Sequence, residues 1–224
     1  MLRAHLIHFA LLAVLFLVQL IASAVLLGGI ADQARYGPKD TCLLFISNYH
    51  QESTIYVFQA RSSTCTNLIA LGAGSLVLTI PVAIVSLFYA SKATPKMLLP
   101  SGAVSAAAPA QLSAWMLEGK PRAVAMCLAV LASISAFMCA TGAIAGWVGL
   151  AQSCREFESV PGATCAETFE HGFFHDSDPS VTYVKNMHTV AAAVTAAWVM
   201  LGTWAVTVAL EWRSWVASGK SQWW

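Results

Sequence analysis

The stretch AVAMCLAVLASISAFMCATGAIAGWVGL, residues 123–150, decides the fold of this chain because it contains no Asp, Glu, Lys or Arg. A helix that crosses about 30 Å of hydrocarbon needs about 20 mostly apolar residues, with every backbone polar group paired inside the segment. A helix of a soluble protein would instead show a charged face at a period of about 3.6 residues. The stretch therefore predicts a membrane-spanning helix.

Three further stretches have the same character. Residues 6–27, 68–89 and 189–210 also contain no Asp, Glu, Lys or Arg. Of the 224 residues, 58% are hydrophobic and 10% are charged, a balance typical of membrane proteins. The sequence predicts an all-α fold, a single integral membrane four-helix bundle over residues 1–224. Its outer loops are expected at 28–67 and 151–188, and its cytoplasmic loop at 91–122.

A cleaved signal peptide is the alternative interpretation of the first apolar stretch. Arg3 precedes the stretch, and Ala22-Ser23-Ala24 has the small residues of a cleavage site. However, the apolar run continues to Leu27 and exceeds the roughly 7 to 15 residues of a signal core. We therefore expect a retained span, and cleavage stays open as the alternative.

The distribution of positive charge predicts the orientation in the membrane. Seven of the 12 Lys and Arg residues lie on the side that holds both termini and the middle loop, and five lie in the outer loops. Because Lys and Arg favour the cytoplasmic side, we expect both termini in the cytoplasm. The acidic outer loops are then extracellular or lumenal, in the plasma membrane or an endomembrane.

Four of the six cysteines fall in the two predicted outer loops, at Cys42, Cys65, Cys154 and Cys165. This arrangement predicts two disulfides in an oxidising compartment. Three pairings are possible, and the sequence does not choose among them. We favour Cys42–Cys65 and Cys154–Cys165, because each bond closes a short loop within one segment. In the chain-entropy description each closure contributes about 3 kcal/mol.

The other two cysteines, Cys127 and Cys139, lie within the third apolar stretch. Cysteine behaves there as a small apolar residue, so packing is the expected role of both. Cys127 follows Arg122 by five positions, near the predicted cytoplasmic boundary. Palmitoylation of Cys127 is therefore an alternative.

Small residues recur at helical spacing in two of the spans. The third has Gly142-x-x-x-Gly146, and the second has Gly72 and Gly74 in the sequence GAGS. Such residues let two helix backbones approach closely, and close packing is a main source of helix association in lipid. These glycines predict either packing inside the bundle or a docking face for another membrane protein.

The second outer loop contains a weak candidate metal site. Glu167, His171 and His175 are spaced four apart, which would place them on one side of a helix. Gly172 weakens a helix at that point. The expected reading is a packed acidic loop, and we predict no bound metal and no cofactor.

No sequence motif of catalysis is present. The chain lacks Gly-x-Ser-x-Gly, His-Glu-x-x-His and a phosphate-binding glycine loop. Pumps and proton-coupled transporters keep ionisable residues at membrane depth, whereas the apolar stretches contain only His8, near the predicted cytoplasmic end. The sequence therefore predicts a non-enzymatic structural or accessory membrane protein. Its expected partners are lipid and other membrane proteins, such as channel, receptor or adhesion complexes, or further copies of itself, and not nucleic acid. The alternative is a subunit of a pore or transporter.

The cysteine-bearing segments resemble the transmembrane protein 179 family. The resemblance rests on DTCLLFISN at 40–48, Cys65 before the second span, LAQSCREFESVPGATC at 150–165 and YVKNMHTVAAAVTAAWVMLGTW at 183–204. It covers most of the chain from Cys42 to about Trp204, apart from the middle loop. The resemblance implies a four-span eukaryotic membrane protein whose loop cysteines have a structural role, and it implies no activity.

Overall fold

A computed structural model describes residues 2–35, 42, 44–45, 47–52, 55–59, 62–92, 120–162, 164–166 and 187–220. In this part of the chain there are four long helices: α1 (Leu2–Arg35), α2 (Ser62–Lys92), α3 (Arg122–Glu158) and α4 (Met187–Lys220). Two short strands, β1 (Ser47–Glu52) and β2 (Ile55–Gln59), lie between α1 and α2.

All four helices are long and apolar enough to cross a membrane. Only about a third of each apolar window is buried inside the protein, 33–39%. Large apolar side chains such as Leu11, Val77 and Phe137 are exposed instead. Water would leave so much apolar surface unfavourably solvated, whereas lipid would cover it. The four candidate spans and this exposure therefore indicate a multi-pass membrane protein, in agreement with the sequence prediction.

Each helix is longer than the apolar stretch that predicts it. The predicted fourth span ends at residue 210, but α4 continues to Lys220, and α3 continues past residue 150 to Glu158. Hydropathy marks only the part of a helix that suits lipid, while backbone hydrogen bonding continues into the polar boundary. As a result Cys65 and Cys154 lie on helices, and Glu211 lies within the candidate span His188–Val216.

The strands form an antiparallel hairpin that the all-α prediction did not include. Gln51 pairs with Tyr56 and Glu52 with Ile55, and the register is irregular between Ser47 and His50. Strand β2 has the sequence IYVFQ, which is rich in β-branched and aromatic residues that favour strands. The hairpin is enclosed by the loop that Cys42 and Cys65 close.

The chain divides into two compact units, and each contains a segment of every helix. The terminal unit comprises Met1–Leu20, Val77–Ala136 and Gly202–Trp224, and the disulfide unit comprises Ile21–Leu76 and Phe137–Leu201.

Within the disulfide unit, close approaches at small residues join consecutive helices. A Cβ added at Gly72 would lie 3.0 Å from Leu27 of α1, and one at Gly146 would lie 3.5 Å from Val194 of α4. Contacts of Gly142 with Leu71 and of Gly29 with Ala193 join α2 to α3 and α1 to α4. The contacts connect the four helix segments in a closed ring. Late segments of α1 and α3 meet early segments of α2 and α4, so neighbouring helices run in opposite directions.

The terminal unit differs from the disulfide unit because its interior includes many polar side chains. Gln19 and Phe16 of α1 are buried, and so are Val82 of α2 and Ala129 and Ala132 of α3. Other buried polar residues of the unit are Thr79, Ser86, Ser135, Thr203, Thr207, Glu211 and Ser214.

Candidate functional site

A charged cluster of Ser86, Lys120 and Glu211 lies inside the terminal unit. Glu211 Oε1 accepts hydrogen bonds from Lys120 Nζ at 2.5 Å and from Ser86 Oγ at 3.0 Å. The side chains of Lys120 and Glu211 are 14% and 4% exposed, and Ser86 is fully buried. The cluster is therefore a largely buried ion pair with a hydroxyl as its third member.

The second carboxylate oxygen of Glu211 has a different environment. Glu211 Oε2 is buried and has no hydrogen-bond partner among the residues that the structure describes. A buried carboxylate depends on its cation for compensation, since taking it out of water costs several kcal/mol. The hydrogen bonds to Oε1 therefore have to offset the desolvation of both carboxylate oxygens, and Lys120 supplies the compensating charge.

The three members come from separate parts of the chain. Ser86 is on α2, Glu211 is on α4, and Lys120 precedes Pro121 and the first residue of α3. Proline lacks a backbone N–H and is tolerated at a helix start, so Pro121 fixes where α3 begins and leaves Lys120 just before it. The ion pair therefore ties the start of α3 to α2 and α4.

A second cluster, the Trp–Arg cluster, joins α3 to α4 in the same unit. It consists of Arg122, Ser133, Trp212 and Trp215. The Arg122 guanidinium lies 5.6 Å from the centroid of Trp215, and the two indoles meet edge to face at 5.3 Å. Trp212 Nε1 donates a hydrogen bond to Ser133 Oγ at 3.1 Å. The two tryptophans of α4 thus contact α3.

The structure pairs the cysteines as Cys42–Cys65 and Cys154–Cys165, the pairings favoured from the sequence. Near the first bond, Phe45 N–H donates to the carbonyl of Gly149 on α3 at 3.2 Å. A Cβ on Gly149 would lie 2.7 Å from the Phe45 ring, so this close approach requires glycine. Phe45 has φ of 61°, which is unfavourable for a bulky residue and needs support from its surroundings. We call this docked segment, with the two disulfides, the braced cap.

The predicted helix-packing glycines fall into two groups. Gly72, Gly142 and Gly146 contact neighbouring helices inside the disulfide unit. Gly74 is exposed, and no atom of a neighbouring element would lie within 4 Å of a Cβ added there. Gly74 therefore takes no part in packing within the described part of this chain.

The remaining predicted sites have simpler outcomes. Cys127 is an exposed free cysteine on α3, and Cys139 is buried. His171 and His175, like most of the middle loop, lie outside the described residues. Among the residues that the structure does describe, no group of three His, Cys, Asp or Glu side chains has metal-binding geometry.

Sequence reasoning missed Glu211 because the apolar stretch ends one residue before it. One signal was available: Thr203, Thr207 and Glu211 are spaced four apart, which places them on one side of a helix. All three are buried. When a helix continues beyond its apolar stretch, polar residues at this spacing indicate the side of the helix that faces the interior of the protein.

Comparisons with known proteins leave the geometry of the chain as the only basis for its function. No protein-family model matches this chain, and no curated protein or solved structure matches it either.

Proposed function

We propose that this chain is an accessory membrane protein that binds another integral membrane protein through lipid-facing small residues, without catalysis. The observation that supports this most directly is the exposed pair Ala70 and Gly74 on α2. The pair has the four-residue spacing of small residues that lets a second helix approach closely.

Gly74 is an interior residue of α2, and glycine is costly at such a position. Glycine inside a helix is less favourable than alanine by roughly 0.5–1 kcal/mol. At Gly142 and Gly149 an internal neighbour occupies the space that a Cβ would need, which accounts for that cost. Gly74 has no such neighbour among the described residues. Close packing of a partner's helix against α2 would account for a glycine at this position.

The braced cap gives the same proposal a second support. Two disulfides and the docking of Phe45 on Gly149 hold the segments beside α2 and α3 in place. A segment ordered in this way loses less conformational entropy when it binds a partner. The proposed partner is therefore contacted by both the lipid-facing surface and the cap.

Gly74→Leu should abolish the proposed association and leave the fold intact. The leucine would project from an exposed position, where it meets lipid in the free protein and blocks close approach in a complex. The measurement is proximity cross-linking of the full chain in its native membrane, followed by purification and quantification of each cross-linked membrane protein.

Ala205→Leu is the matched control, since Ala205 is a small exposed residue on α4. A partner that is lost with Gly74→Leu and kept with Ala205→Leu would support the proposal. Equal cross-linking of every membrane protein by the parent and by Gly74→Leu would refute it.

A second candidate function, a subunit of a pore or transporter, is favoured by Glu211. An ionisable residue buried inside a candidate span is costly and is typical of ion and solute pathways. If the chain conducts, Glu211→Gln should strongly reduce flux, because the variant keeps the size of the side chain and removes its charge. Flux of ions and small solutes into proteoliposomes is the measurement, and absence of flux with the parent would dismiss this candidate.

The orientation and the family relation are parts of the same proposal. The excess of Lys and Arg supports cytoplasmic termini, in a plasma or internal membrane, with the braced cap outside or in the lumen. The resemblance to the transmembrane protein 179 family stays a prediction, which the cysteine layout and a few apolar and aromatic positions support.

A further inference from the structure

Arg122 and Trp215 of the Trp–Arg cluster lie at the boundaries of two candidate spans. Arg122 begins the span of α3, and Trp215 is the penultimate residue of the candidate span of α4. Arg122 and Arg213 are exposed, and Trp212 is 37% exposed. Membrane-facing tryptophans are enriched at the depth of lipid headgroups. The cluster therefore has the position and the exposure needed to meet a headgroup.

Among the residues that the structure describes, the basic side chains at this boundary outnumber the acidic ones. Glu211 is the only carboxylate among the described residues of the terminal unit, and Lys120 occupies it. Arg122 and Arg213 have no ion pair with any residue that the structure describes. The indole of Trp215 supports the Arg122 guanidinium through a cation–π contact, which leaves the in-plane N–H donors of the guanidinium free for an anion.

Apolar surface continues from the cluster along α3. Met126 and Val130 are exposed at successive turns after Arg122, and positions four apart lie on one side of a helix. An anion with an apolar chain attached would pair with Arg122 and cover the exposed side chains of Met126 and Val130. Phosphate esters of diacylglycerol have that combination, and arginine recognises phosphate with two parallel hydrogen bonds.

We propose that Arg122, held on Trp215, binds the headgroup of an anionic phospholipid whose acyl chain lies along Met126 and Val130. The site is independent of the proposed protein partner, because Gly74 belongs to the disulfide unit and the cluster to the terminal unit. The bound lipid would lie where α3 and α4 contact each other through Arg122 and Trp215.

Native mass spectrometry of the full chain in detergent, titrated with phosphatidylserine or phosphatidylcholine, tests the site. The parent should bind phosphatidylserine more tightly than phosphatidylcholine. Arg122→Ala should weaken phosphatidylserine binding by about fivefold, the effect expected for one basic residue at an anionic surface. Its binding of phosphatidylcholine should not change.

Lys92→Ala is the matched control, since Lys92 is another exposed basic residue at a span boundary and lies 4.1 Å over the ring of Phe88. Its effect on phosphatidylserine binding should be less than about twofold, because it lies outside the site. Equal losses in Arg122→Ala and Lys92→Ala would mean diffuse attraction and overturn the site. So would a parent without preference for phosphatidylserine. Displacement of the lipid by inorganic phosphate at equal concentration would overturn the assignment to a lipid.

Discussion

Lys120→Met should lower the free energy of unfolding by about 3–5 kcal/mol, the range typical when one partner of a buried ion pair is removed. The substitution keeps most of the side-chain volume, but among the described residues it leaves only Ser86 as a donor to the buried Glu211 carboxylate. The segment just before α3 would also lose its ion pair with Glu211 of α4. Unfolding by a denaturing detergent in mixed micelles, followed by tryptophan fluorescence, measures the change.

The double variant Lys120→Met, Glu211→Met separates the ion pair from the packing of the cluster. Replacing both charges removes the uncompensated carboxylate, so most of the lost stability should return. Lys92→Met, which removes an exposed lysine, should cost less than about 1 kcal/mol. If Lys120→Met is no more destabilising than Lys92→Met, Lys120 and Glu211 do not form a buried pair in the membrane.

Removing the Cys42–Cys65 disulfide with the double variant Cys42→Ala, Cys65→Ala should cost about 3 kcal/mol. The bond closes a separation of 23 residues and thereby limits the conformations of the unfolded chain. The same detergent unfolding experiment gives the magnitude. Loss of the bond should also release the Phe45 segment from Gly149, which protease cleavage between residues 36 and 61 would detect.

Cys154→Ala with Cys165→Ala should be slightly less destabilising, because this bond spans only 11 residues. The shorter loop predicts a cost lower by about 0.6 kcal/mol. Cys127→Ala is the control, since Cys127 is a free cysteine, and its effect should stay within about 0.5 kcal/mol. Non-reducing peptide mapping should find Cys154–Cys165 intact when Cys42 and Cys65 are absent. In the parent chain, a disulfide between one cysteine of the first pair and one of the second would contradict the structure.

The helices could be predicted because each apolar stretch is a local property of the sequence. A run without charge over 20 or more residues has one stable solution in lipid, whatever its neighbours. The hairpin was missed because a short polar and aromatic segment has no comparable local signal. Its strands depend on each other and on the loop that Cys42 and Cys65 close.

The candidate site was predictable only in part. Cys42, Cys65, Cys154 and Cys165 were found because they are the four cysteines outside the apolar stretches, a distribution typical of disulfides in proteins of oxidising compartments. The role of Glu211 was not found, because hydropathy treats a charge after an apolar stretch as the end of the span. Burial of that carboxylate depends on Lys120, which is 91 residues away in the chain.

The sequence by itself determined four helices long and apolar enough to cross a membrane, because a charge-free run of that length is a local property of each segment. It also limited the disulfides to the four cysteines outside those runs. The tertiary structure decided which side of each helix faces its neighbours. Gly142 faces Leu71 whereas Gly74 faces outward, although both belong to apolar helices. It also decided that Glu211 lies against Lys120 and Ser86. The physical reason is that the orientation of a helix and the partner of a charged side chain depend on contacts between segments far apart in the chain. The local composition does not encode such contacts.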